Sequence, residues 1–216
     1  LLETIASRCQ PVDFAPLPAE VLEAELGAAA APDEVSAAAR LAAGDRERAA
    51  LLLSARGREL RREVERCLAA ALSGEVAAAP WRQLLDGAQA AGEEAEATAR
   101  EALEEDARAG LKRTAREIGE EAKRVGRRRR TEILDHALEL CAAWLRDLAA
   151  VASGAEEVAF NRDRLDLLRS QAAALDPARA REGAALVQET RRGLNLNVSE
   201  ELALEALFFR LERLLG

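Results

Sequence analysis

The sequence predicts an all-α protein: a small helical module followed by a helical bundle that carries one long exposed helix. Three observations predict it. Ala, Leu, Glu and Arg dominate while aromatic residues make up 3%, a composition that favours helix. Apolar residues recur at spacings of three and four along most of the chain, the period of one helix face. No stretch beyond residues 12–14 reads as a strand, and no solenoid repeat is visible.

The elements follow in order. Residues 11–18 hold three prolines, which exclude a helix and favour an extended linker. A helix then starts with Pro18 in its first turn, where a missing amide costs nothing. Val21, Leu22, Glu25 and Leu26 give it one face, and Gly27 weakens its end. Three short helices come next. One spans about 33–43 and stops at Gly44, a left-handed cap. One spans about 45–55 with Ala49, Leu52 and Leu53 inward, and one spans about 59–72 and ends at Ser73-Gly74. Residues 11–75 therefore form the first module.

The second module covers 76–216. Pro80-Trp81 opens a short helix ending near Gly92. From 93 to 130 runs the longest periodic segment, with Leu103, Ala107, Leu111, Ala115, Ile118, Ala122 and Val125 on one narrow face. A narrow face predicts a helix packed on one side only. Its first half is acidic and its end is basic, an order that complements the helix macrodipole. Residues 133–151 carry a wide apolar face, which predicts a helix deep in the bundle. Further helices are expected over 162–174, from Asp176-Pro177 to near Arg192, and over 200–215. In the last, Leu204, Phe208, Phe209 and Leu211 exceed what one stripe needs, so some are expected to face a partner.

Composition also bounds function. The formal net charge is −8, which argues against a whole-surface nucleic-acid binder. One local exception is Lys123, Arg124, Arg127, Arg128, Arg129 and Arg130, six basic residues within eight. Such a run can contact phosphates, although no aromatics interleave for base stacking. The same run also reads as a solvated helix end. Cys9, Cys67 and Cys141 are odd in number and lack metal-ligand spacing, so no metal and a reducing, cytoplasmic compartment are expected. No apolar run approaches the ~18 residues of a membrane span. His136, the only histidine, has no ligand-type neighbours in sequence and reads as a half-buried helix residue. Trp81 and Trp144 read as core or interface residues. Neither a Gly-x-x-x-x-Gly-Lys phosphate loop nor a Gly-x-Ser-x-Gly or His-Glu-x-x-His motif occurs, so no complete catalytic centre is expected within the chain.

The opening residues, Leu1-Leu2-Glu3-Thr4-Ile5-Ala6-Ser7-Arg8-Cys9-Gln10, carry a more specific signal. The chain contains no Met and reads as the rear part of a longer protein. Thr4-Ile5, then Ser7-Arg8-Cys9, then Pro11-Val12-Asp13-Phe14, resemble the last ATPase-domain motif of the bacterial clamp-loader AAA+ family. Two further stretches are similar to the delta-prime subunits of that family, part of DNA polymerase III. Gly44-Asp45-Arg46-Glu47-Arg48-Ala49 lies where the second sensor motif stands. Residues 131–148, with Trp144-Leu145-Arg146-Asp147, and 195–207 look like the collar domain. The likeness is good over 1–53, fair over 127–216 and poor over 54–126.

The resemblance implies a division into the tail of an ATPase domain (1–10), a helical lid (11–75) and a collar that mediates oligomerisation (76–216). It implies a non-hydrolysing subunit of the replication clamp loader, with motor (gamma/tau) and delta subunits as partners and with the sliding clamp and primed DNA engaged indirectly. No cofactor belongs to this chain, since ATP is bound by the neighbouring subunit. Arg8, flanked by Ser7 and Cys9, would be an arginine finger acting in trans. A guanidinium there meets phosphate oxygens bidentately and can contribute a rate factor of roughly 10³–10⁵. Arg48 would be a vestigial sensor, with Glu47 the other residue alignable to that position; a capped, charged helix face accounts for the same residues. A motor-subunit fragment and a helical scaffold or coiled-coil protein are the alternatives.

Overall fold

The structure, a computed structural model, describes residues 15–110, 113–194 and 199–216. Among these, nine α-helices and no strand occur, so the fold is all-α. Residues 1–14, with Ser7, Arg8, Cys9 and the strand-like 12–14, lie outside the described residues, as do 111–112 and 195–198.

Three short helices open the fold: α1 (Ala19–Leu26), α2 (Pro32–Leu41) and α3 (Arg46–Leu53). Pro18 and Pro32 stand at the starts of α1 and α2, and the Asp45 carboxylate accepts from the Arg48 amide at 3.0 Å to cap α3. Leu22, Ala39, Ala42 and Ala49 bury a small satellite core between the three. The turn after α2 needs Gly44, which sits at φ +89°. A Cβ there would lie 2.4 Å from the Pro16 side chain.

Helix α4 (Ala55–Ser73) starts four residues before the expected 59. Ser54 caps it by accepting from the Gly57 amide. Gly57 is buried where a Cβ would lie 2.0 Å from the Leu51 carbonyl oxygen. Close approach of two backbones, not flexibility, requires glycine at that position.

The long periodic segment is two antiparallel helices, not one. Helix α5 (Trp81–Arg108) runs straight through Gly92, and α6 (Ala115–Ala152) continues through the basic run into the deep core. The break has clear chemistry. Gly110 turns the chain at φ +105°. Thr114 and Glu117 then form a reciprocal capping box that starts α6, the Thr-x-x-Glu signature of a helix N-terminus. The acidic stretch therefore lies in the C-terminal half of α5 and the basic run in mid-α6. The macrodipole account of their order does not hold.

Helices α7 (Leu165–Ala172), α8 (Pro177–Leu194) and α9 (Glu200–Leu215) close the bundle. Residues 162–164 form a single 3₁₀ turn before α7 rather than its first turn. The second half of α6 is the axis: Leu138, Cys141, Leu145 and Leu148 are fully buried. One core runs from Ala38 and Leu52 through α4, α5 and α6 to Leu215, and so draws on residues from both sides of position 75. Leu204, Phe208 and Leu211 point into this core, with at most 1% exposure. They are not a partner-facing surplus, because α9 is flanked by α4, α5 and α8. Phe208 stacks on Trp81 at 6.1 Å between ring centroids. Only Phe209 and Leu202 of α9 are exposed large apolar residues.

Candidate functional site

A groove of about 780 Å³ lies between the opening helices and the bundle. Helix α2 contributes Arg40 and Leu41, and α3 contributes Arg48. Helix α6 contributes Glu139, Leu140, Ala143, Arg146 and Ala150. Val158 and Phe160 come from the loop after α6, and Arg181, Ala184, Gln188 and Arg191 from α8. The α8 residues recur at spacings of three and four, so they share one helix face.

Local structure aims these side chains. The Asp45 cap fixes the first turn of α3, and from there Arg48 pairs with the Glu139 carboxylate. Arg191 reaches the same carboxylate at 2.5 Å. It also grips Asp135 with two hydrogen bonds, Nε to Oδ1 at 2.5 Å and Nη2 to Oδ2 at 2.7 Å. The hydrogen bond to Asp135, with lesser help from Glu139, raises the Arg191 pKa above its ordinary value. Glu139 thus bridges α3 to α8 across α6. His136 lies beside this network. Burial, reinforced by the Arg48 charge, lowers its pKa from 6.5, and its Nδ1 is buried without a hydrogen-bond partner among the described residues.

The opposite end of the groove is ordered by Asp147, which is fully buried. Its carboxylate accepts from the amides of Phe160 and Asn161 and from Asn161 Nδ2, at 2.8–3.0 Å. Asn161 Oδ1 and Asp163 in turn accept from Arg61, itself 6% exposed, on α4. The loop is thereby pinned, and Phe160 presents its ring under the Arg146 guanidinium at 3.8 Å, a cation–π contact.

The residues singled out in sequence fare differently. Ser7, Arg8 and Cys9 lie outside the described residues. Arg48 is in the groove, held by Glu139 rather than free on the surface. The basic run is split around α6. Arg124 pairs with Glu121, Arg128 and Arg129 with Glu132, and Arg130 with Glu200 and Gln89. Only Lys123 and Arg127 have no ion-pair partner among the described residues. Trp144 is buried and donates from Nε1 to Gln171 at 2.8 Å. Arg40, Arg181, Arg191 and Glu139 carried no motif, and Arg146 was noted only within the Trp144-Leu145-Arg146-Asp147 likeness.

Chemically the groove can bind anions and apolar groups together. Among the described residues no cluster of His, Cys, Asp or Glu is placed to hold a metal ion. No helix described is long and apolar enough to cross a membrane. The chain matches no protein-family model, no curated protein and no solved structure.

Proposed function

We propose that this chain is part of a non-hydrolysing subunit of the bacterial replication clamp loader, which helps assemble the complex and lends Arg8 to the ATP site of the neighbouring motor subunit. The observation that carries the reading is the order of the chain. A Ser-Arg-Cys motif and a proline-rich exit are followed directly by a helical body whose core is continuous from α2 to α9. A continuous core suits a rigid part that transmits position rather than one that performs chemistry. Arg48 supports the same reading, because its guanidinium is committed to Glu139 and not offered to a nucleotide.

The coiled-coil alternative draws less support. Ala88, Ala91, Ile118 and Ala122, small apolar residues along the α5–α6 hairpin, are buried within this one chain.

Gel filtration of the chain mixed with the motor and delta subunits of the same genome tests the reading. Co-elution as a defined complex is expected. Separate elution of folded components would remove the assembly role.

A further inference from the structure

We propose that the groove between α2–α3 and α6–α8 docks an acidic amphipathic helix of a partner protein. The floor fits such an occupant. Leu140, Ala143, Ala150 and Ala184 line it, and small side chains let a helix backbone approach closely. Val158, 43% exposed, and Phe160 form an apolar wall at one end.

Charge selects the partner's sign. The lining holds five arginines and a single carboxylate, Glu139, on a chain of net charge −8. Arg48 and Arg191 are neutralised by Glu139 and Asp135. Arg40, Arg146 and Arg181 are less committed. Arg40 and Arg181 have no ion-pair partner among the described residues. The carboxylate nearest Arg146 is Asp147 at 3.3 Å, and that group already accepts four hydrogen bonds from the loop. The Nε of Arg40 is buried and has no acceptor among the described residues.

The same features disfavour other occupants. A single strand held by base stacking would need exposed aromatic faces, whereas Phe160 is covered by Arg146 and the floor is alanine and leucine. Arg40, Arg146 and Arg181 stand on α2, α6 and α8, three separate elements, and so match carboxylates spaced along a helix better than one phosphate. The partner helix would carry Leu or Ala at i, i+4 and i+7, with Glu or Asp on both flanks reaching the arginines bidentately.

The test uses the whole chain and a fluorescein-labelled peptide of about five helical turns, with that Leu/Ala face and glutamate flanks, read by fluorescence anisotropy. Saturable binding below about 100 µM is expected, weakening as salt rises. Arg181→Glu and Arg40→Gln should each weaken it at least about tenfold, with unchanged far-ultraviolet circular dichroism. Arg116→Glu, on the exposed start of α6, should leave it unchanged, which separates the groove from net charge. A twin peptide with lysine flanks should not bind. Absence of saturable binding, equal binding of the lysine twin, or indifference to Arg181→Glu overturns the proposal. So does preferential binding of dodecyl phosphate or of a DNA oligonucleotide at the groove, because each is a different class of ligand. No loader subunit enters the assay, so its outcome is separate from that of the clamp-loader reading.

Discussion

Gly92 of α5 and Gly126 of α6 meet backbone to backbone: a Cβ on either would lie 2.8 Å from the other's carbonyl oxygen. This crossing sets the spacing of the hairpin. Beyond it, residues 93–108 and 115–125 form an arm in which only Ile118 and Ala122 are buried. At 1.5 Å per residue the arm extends about 24 Å.

Replacing Gly126 by Ala should therefore destabilise the protein. Helix propensity favours Ala by about 1 kcal/mol, but overpacking against a backbone costs about 1–3 kcal/mol, and the latter wins where neither backbone can yield. Gly119, in the same helix, has nothing within 4 Å of a Cβ. Gly119→Ala should instead stabilise by about 0.5–1 kcal/mol. Urea unfolding of the two variants checks the opposite signs; a stabilised Gly126→Ala would show that the crossing is loose.

Asp147→Ala should cost about 2–4 kcal/mol, because the amides of Phe160 and Asn161 lose their acceptor inside the core. Arg146 should also lose its seat on Phe160, so the defect should spread to the groove wall. Thermal unfolding measures the first effect. Proteolysis within 155–164, faster in the variant, reports the second.

His136 makes stability depend on pH. Burial first, then the Arg48 charge, lowers its folded pKa below 6.5. Between the folded and unfolded values the unfolded chain binds more protons, so stability rises with pH there. The contribution is complete above about pH 6.5 and is lost as pH falls through the folded value. Urea midpoints should fall between about pH 7.5 and pH 5, and His136→Gln should flatten that slope. Comparing the two proteins isolates the imidazole from Glu63, whose burial raises its pKa and acts with the opposite sign. Equal slopes would contradict the assignment.

Cys67 and Cys141 are both buried. Burial pushes Cys67 up to about 12 and raises Cys141 well above its usual value, so neither supplies thiolate at neutral pH. Peptide mapping after brief iodoacetamide treatment should find both unmodified in the native protein and both alkylated in urea. Rapid native labelling of Cys141 would mean that α6 opens.

Much of the helix content was legible because it rests on local periodicity. The wide apolar face over 133–151 correctly marks the bundle axis, and Asp45 and Gly74 mark real helix ends, whereas α2 ends at Leu41, capped by Ala42 rather than Gly44. Two signals were open to misreading. Thr114-x-x-Glu117 marks a helix start, but the continuous stripe from Leu103 to Val125 hides it. Gly92 resembles a stop, although its role is to let another backbone approach, which only tertiary structure reveals. The burial of Leu204, Phe208 and Leu211 was hidden for the same reason, since three neighbouring helices share the surfaces of α9. The groove was the least legible part. Its arginines come from four helices and acquire meaning only when Glu139 and Asp135 fix which of them are spent.

The central claim is tested most directly at Arg8, in the intact subunit within a reconstituted loader, by DNA-stimulated ATP hydrolysis. A finger stabilises charge that develops only in the neighbour's transition state, so Arg8→Ala should slow hydrolysis by at least about tenfold while gel filtration shows an unchanged complex. Arg8→Lys should restore little, since an ammonium cannot reproduce the planar fork. Wild-type hydrolysis by the Arg8→Ala complex would contradict the account, and loss of the complex itself would make Arg8 a structural residue instead.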